Sequence, residues 1–406
     1  MPFLKVRVCQ CGASPSVMDE SPWWPSGIIH EDSESFDSGK IRTEFGTLNC
    51  WNYQDCLTVD WWAQPPNQSA IVGTWPEVTE VSILREDRKG LLLKINEHQI
   101  ARVLPFSVGN DLSRMVRHEP WNNALQSQPV ILPSMVYFTE GNDRVAVYDL
   151  AQTATGTEIK MANKLAGMLG QIHGALDEFS TPNTERRWND RLKDIEAELK
   201  TSTLWRAPHS SATVGLPRLN FDLELLGKKG DEIHFIADSR SPVEHILCEA
   251  DRLPGLAHLM MIEQQISFTQ GMDETARKEL LDSWLNSAPS NYNSKKALST
   301  LLGGPWIWRY HAVLLALGEA RMYGDEPLRK KSQKWLNDVS RIQAHLGVLR
   351  LWKSGLWGGI TGAVIAFFAW RMESISPTIA GITGISCMLF AILSNQIYWA
   401  KDPNPY

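Results

Sequence analysis

Leu219-Asn220-Phe221-Asp222-Leu223, followed by Ile233-His234-Phe235-Ile236-Ala237-Asp238, decides how this chain is read. The first acid closes a short loop, and the second, sixteen residues on, closes an apolar strand. Alone, such a pair is a loop residue and a strand-end cap, since Asp side chains bond nearby backbone amides in turns. The segments on either side change that reading.

Upstream, Val78–Leu84 and Leu91–Ile95 flank a charged turn at Arg85–Gly90, and Ile100–Leu104 follows Asn96–Gln99, which predicts a three-stranded meander. A helix is expected near Asp111–Gln126, interrupted at Pro120. Val130–Phe138 and Arg144–Asp149 read as two further strands around Glu140–Asp143. Glu158–Phe179 then carries Ile159, Ala162, Leu165, Leu169, Ile172 and Leu176 on one helical face. Downstream, Leu256–Asn337 reads as a helical core with Trp284, Trp306, Trp308, Tyr310 and Trp335 as aromatic packing.

This order resembles the protein-kinase-like fold of the aminoglycoside and choline phosphotransferases and the related lipopolysaccharide kinases, over roughly Gly73–Val339. Leu169-Gly-Gln-Ile172-His173 looks like the Leu-x-x-Leu-His ending of their helix, and Asp251-Arg252-Leu253 sits where they often have another Asp-Leu. The resemblance implies an α+β, two-lobed fold, with a small antiparallel sheet lobe over residues 73–150 and a helical lobe over 151–326. It also implies ATP and magnesium, on condition that the protein is active. Phosphoryl transfer uses one carboxylate to orient the attacking hydroxyl and another to hold magnesium against the phosphates. By that likeness Asp222 takes the first role, beside Asn220, and Asp238 the second.

Several positions depart from the family. Asn220 stands where its loop has His, and Gly227 stands where a second metal-binding Asn is expected. Arg102, seventeen residues before Glu119, is the best match to the phosphate-binding Lys and its helix partner, with Lys94 as another source of charge. Arg forks differently from Lys, so the exchange is not conservative. Read without the family, Arg102, Lys94 and Glu119 are solvated surface charges and His173 is a satisfied helix histidine.

Residues 1–72 form an extension rich in Ser, Pro, Asp and Trp. Its pairs Trp23–Trp24 and Trp61–Trp62 suit packing or an interface. Cys9, Cys11, Cys50 and Cys56 depart from zinc-knuckle spacing, so ordinary thiols are expected over a zinc site. Met1–Cys11 has no long apolar core, so no signal peptide is expected. Six cysteines in 406 residues agree with a reducing compartment, and a net charge of −6 gives no case for nucleic acid.

The end of the chain carries two charge-free apolar runs, Ser354–Trp370 and Thr378–Ala400, separated by Arg371–Pro377. As helices they are about 26 Å and 35 Å long, against a hydrocarbon core of about 30 Å. A two-helix transmembrane hairpin over 354–401 is expected, with Gly358, Gly362 and Ala366 facing Ala380 and Gly384. A basic segment over 327–353 precedes it, with Arg329, Lys330, Lys331, Lys334, Arg341, Arg350 and Lys353 against Asp338 alone. The positive-inside rule then predicts an integral membrane protein with its large N-terminal region cytoplasmic. Trp335, Val339, Ile342, Leu346 and Leu349 share one face of this segment, which suits either anionic lipid or a solvated helix.

Two functions follow. One is a membrane-anchored kinase-like phosphotransferase acting on a small molecule, a lipid or a lipid-linked sugar. The other is an inactive pseudokinase serving as a partner-binding or structural subunit of a membrane complex.

Overall fold

In a computed structural model the described residues are 21–27, 40–182, 185–201, 214–248, 251–292, 298–299 and 304–401. Cys9 and Cys11 lie outside them. Strands β1 (Lys40–Arg42) and β2 (Thr47–Asn49) form a hairpin, followed by helix α1 (Val59–Ala63). Six strands then build one antiparallel sheet: β3 (Ile71–Gly73), β4 (Val81–Asp87), β5 (Gly90–Ile95), β6 (Gln99–Val103), and, beyond two short helices, β8 (Met135–Thr139) and β9 (Asn142–Tyr148). Their spatial order is β3-β8-β9-β6-β5-β4.

The meander forms as expected, except that β4 runs on to Asp87 and tightens the charged turn to Arg88-Lys89. Gly90 permits this, because its φ is +146° and a Cβ there would lie 2.1 Å from the Val103 carbonyl oxygen. The expected strand Val130–Phe138 is two strands, since Pro133 has no N–H for the ladder. Its first part, β7 (Val130–Ile131), leaves the sheet and pairs in parallel with a strand of the second lobe.

The helix expected near Asp111–Gln126 is α2 (Asp111–Arg117) and α3 (Glu119–Leu125), broken at His118, with Pro120 in the first turn of α3, where its missing N–H costs nothing. After β10 (Gln152–Ala154), α4 (Ala162–Leu176) buries Ala162, Leu165, Leu169, Ile172 and Leu176, with a 3-10 turn at each end. The second lobe continues through β11 (Thr181–Pro182), α5 (Glu185–Glu198), β12 (Val214–Pro217), β13 (Leu226–Lys229), β14 (Glu232–Ile236), α6 (Pro242–Leu247), β15 (Arg252–Pro254), α7 (Gly255–Gln270), α8 (Glu274–Ser287) and α9 (Gly304–Met322). The chain is thus an α+β protein with an antiparallel sheet at one end and a mainly helical part after it.

Alternation along the strands gives the sheet two apolar faces. Leu91, Leu93, Ala101, Val103, Val145 and Val147 point to one face, where the N-terminal segment lies. Trp23 and Trp24 pack on Phe106, and Trp51, Trp61 and Trp75 pack on Tyr137 of β8. The tryptophan pairs are therefore packing residues, and Cys56 is a buried thiol donating to the Tyr53 carbonyl oxygen. The opposite face carries Leu92, Ile100, Val136, Ala146 and Tyr148, which meet Ile131, Leu225 and Ile236 of the second lobe.

α10 is one continuous helix from Glu326 to Arg371, about 70 Å long at about 1.5 Å per residue. Its first part packs on α9 through Trp335, which lies 5.0 Å from the Trp306 ring and 6.4 Å from that of Tyr310, and Leu336 and Val339 are buried. On the apolar face considered for a lipid surface, Trp335 packs on α9 and Val339 and Leu349 are buried, while the side chains of Ile342 and Leu346 lie outside the described ones.

After a turn, α11 (Pro377–Ala400) returns antiparallel to the end of α10. Among the described residues it is the one helix long and apolar enough to cross a membrane, with a mean hydropathy of 1.7 over its best window. The apolar part of α10 is diluted by glycines and bounded by Lys353 and Arg371. The expected small-residue contact is shifted: Gly355, Gly359 and Gly362 face Ser394, Ala391 and Cys387, whereas Gly358 and Gly384 meet nothing within 4 Å.

Candidate functional site

The Arg88-Lys89 turn, the 219–223 loop and the end of β14 converge. Asp238 N donates to the Asn220 carbonyl oxygen at 3.0 Å, so the loop and the strand end sit side by side. The loop is held by stacking of Phe221 on Phe235, 4.3 Å between centroids, and by Gln265 of α7, which accepts from Leu223 N at 3.0 Å. Asp222 accepts from Glu224 N at 2.9 Å and lines a cleft of about 650 Å³ together with Asn220, Lys89, Glu244 and Glu319.

Asp238 is buried, and both of its oxygens are engaged. Oδ1 accepts from Ser239 N at 2.8 Å. Oδ2 takes Lys89 Nζ and one guanidinium nitrogen of Arg102, each at 3.1 Å. Burial would raise this carboxyl, but the two cations hold it below the usual carboxylate range. Arg102 is 0% exposed, and its other terminal nitrogen binds both oxygens of Asp87 at 2.7 Å. Asp87 is held down at about 2, against its burial, chiefly by Arg102.

The expected ion pair of Arg102 with Glu119 is not formed. Glu119 is exposed in the first turn of α3, and the carboxylates facing Arg102 are Asp87 and Asp238. The charge that does leave the inter-strand helix is Asp111 of α2. Arg240, two residues past Asp238, donates to Asp111 through two nitrogens at 2.8 and 2.7 Å, and His245 of α6 lies 2.9 Å from the same carboxylate. Lys94 is half-buried, on the same sheet face as Arg102.

His173 ends α4 as its position implied and lies in the helical core. It accepts from Trp284 Nε1 at 3.0 Å and shares a 3.1 Å contact with His258. Burial pushes it down to about 3, so it is neutral. Asp251 pairs with Arg114 at 2.8 Å at the surface.

Lys89 and Asp87 were not singled out by sequence. Both lie in a charged turn, where a solvated charge is the ordinary reading, and only the β4–β5 register turns them inward.

In this arrangement the residues expected to hold ATP and magnesium are engaged with other protein groups. Asp238 is already matched by two protein cations. At Gly227, the position of the second metal ligand, a Cβ would lie 2.3 Å from Ile131 Cδ1, so Ile131 and Leu150 fill the space an Asn would need. The inner sheet face is filled too: Leu92, Ala146 and Tyr148 are 0% exposed and Ile236 1%, and Tyr148 Oη donates to the Ala237 carbonyl oxygen at 2.7 Å across the lobes. Among the described residues there is no group of three or more His, Cys, Asp or Glu able to hold a metal.

No family model and no curated protein matches the chain. Solved structures similar to it include a glucosamine kinase in one crystal form, with 12% identity and a TM-score of 0.44 over 82% of this chain and 98% of that one. A second crystal form gives 12% and 0.42 over 75% and 85%. A GDP complex of an aminoglycoside 2'-phosphotransferase mutant gives 10% and 0.35 over 64% and 91%.

Proposed function

We propose that this chain is a membrane-anchored, kinase-like protein whose folded lobes serve as a binding or structural subunit at the cytoplasmic face, without ATP-dependent phosphoryl transfer. The observation that carries this reading is the closed inner face of the sheet. A nucleotide base needs an apolar slot there, and Leu92, Ala146, Tyr148 and Ile236 already occupy one another. The absence of an Asn at Gly227 and the two cations on Asp238 point the same way.

Anchoring rests on α11 and on the apolar part of α10 packed along it. Trp357, Ile365, Phe367, Ile382, Ile385 and Leu389 are exposed on the outside of this pair, a surface that suits lipid and not water. By the positive-inside rule, the basic residues of α10 before Ser354 support a cytoplasmic position for the lobes.

A second reading, a phosphotransferase acting on a small molecule, a lipid or a lipid-linked sugar, is favoured by one feature. Asp222, the expected base, faces the cleft of about 650 Å³, which has room for a small acceptor.

Thermal unfolding of the full chain in nanodiscs separates the two. A ligand that binds the folded state at a hundred times its Kd adds about 2.7 kcal/mol of stability. Millimolar Mg-ATP is expected to leave the midpoint unchanged. A clear rise in the wild type, lost in Asp222→Asn and Asp238→Asn, would favour the enzyme.

A further inference from the structure

Asn220 and Asp222 line one corner of the cleft, and Asp238 lies just behind it, paired through its backbone with Asn220. Asn220 is 6% exposed, lines the cleft, and its Oδ1 has no hydrogen-bond partner. An unpaired buried acceptor is costly, so this corner is built for something that donates to it or carries positive charge. Lys89 already brings such a charge to the corner. Its ammonium lies 3.1 Å from Asp238 Oδ2, with Asp222 as the other carboxylate it senses most strongly.

We propose that Lys89 is a built-in cation that takes the place of a divalent metal at Asp238, closing the small-lobe turn on the loop without any ion from solution. The proposal rests on the non-catalytic reading above and explains how a retained acidic pair is kept stable without metal.

Charge balance supports it. Two cations, Lys89 and Arg102, already sit on Asp238, Arg102 and Arg85 hold Asp87, and Asp222, Glu244 and Glu319 line the cleft around Lys89. A divalent ion brought to Asp238 while Lys89 and Arg102 are both in place would meet two positive charges on one buried carboxylate, so Lys89 has to leave before a metal enters. Leaving is sterically simple, because Lys89 sits at the tip of a two-residue turn and Lys89 N bonds only the adjacent Asp87. With the ammonium removed, Arg102 stays on Asp238, and the Asp222 carboxylate and the Asn220 amide oxygen beside it are the oxygen ligands that hard cations prefer.

The test uses the full chain in nanodiscs with Mn²⁺ as the only probe, read by loss of the free-ion paramagnetic resonance signal and by the thermal midpoint. The wild type should ignore both Mn²⁺ and a chelator. Lys89→Met should unfold several degrees lower without metal, take up one Mn²⁺ at least tenfold more tightly than the wild type, and recover with it. Lys89→Gln is the companion should the Met variant fold poorly. Either variant combined with Asp238→Asn should lose the metal response. Tight uptake by the wild type that Asp238→Asn removes would overturn the proposal, as would no gain in metal response in both Lys89 variants. Because no nucleotide is present, stabilisation by Mg-ATP would count against the non-catalytic reading separately.

Discussion

Asp111 and Arg240 meet at two points, 2.8 and 2.7 Å, and this pair fastens the first helix of the sheet lobe to the segment just past Asp238. Burial opposes the charge on Asp111, yet Arg240 and His245 hold its carboxyl well below the usual range. Removing one member of a buried pair strands the other, at about 3–5 kcal/mol. Asp111→Ala should therefore lower the thermal midpoint by roughly 5–10 °C. In a double-mutant cycle, Asp111→Ala with Arg240→Ala should cost clearly less than the sum of the two singles. Additive losses would mean that the pair is not coupled.

Gly90 sets the turn that delivers Lys89. With φ at +146° and the Val103 carbonyl oxygen 2.1 Å from any Cβ, Gly90→Ala meets backbone on a central strand. Overpacking and an unfavourable φ together cost at least about 2–3 kcal/mol. Hydrogen exchange at residues 87–91 should rise in this variant. Gly141→Ala, at a turn with nothing within 4 Å, should leave exchange at 87–91 unchanged.

Two buried groups pull acid stability in opposite directions. His173 titrates near 3 in the folded chain, below the ordinary value of about 6.5, so the unfolded chain binds the proton first and stability is lost as pH falls from 6.5 towards 3. Asp143 is pushed up to about 6 by burial, although it accepts from Leu112 N and Ser113 N, so its contribution is present at low pH and is lost as pH rises through 6. Between about pH 4 and 6 the two partly cancel. His173→Gln should flatten the fall in thermal midpoint on acidification, and Asp143→Asn should steepen it. The same slope in all three proteins would contradict both assignments.

What the sequence made legible was periodic or punctuated. The strands around Arg85–Gly90, the helix break before Pro120 and the place of Asp238 just past a strand follow from alternation, from a missing N–H and from an apolar strand ending in an acid. What it hid were pairings set by register. Arg102 lies fifteen residues from Asp87, and only the β4–β5–β6 ladder turns both toward Asp238. A charge in a turn gives no signal of whether it points out or in, so the sequence points to Glu119 and does not single out Lys89. The glycine face of α10 was displaced for a related reason: several glycines at near-helical spacing offer more than one stripe, and packing against α11 selects one.

That selection is testable through a cysteine the chain already has. A Cβ placed on Gly362 lies 2.9 Å from Cys387 Sγ, close to what a disulfide requires, whereas one placed on Gly358 meets nothing within 4 Å. Oxidation of Gly362→Cys in membranes should link α10 to α11 and protect both thiols from maleimide, read as lost gel retardation with a polymer-bearing reagent. In Gly358→Cys the new thiol and Cys387 should stay reduced and open to labelling under the same treatment. The helices are joined by a short turn, so the crosslink tests their rotation about their axes more than their proximity. Efficient crosslinking at 358 with none at 362 would mean that the two helices pack through the Gly358 stripe, and that the face of α10 bearing Gly355, Gly359 and Gly362 points outward.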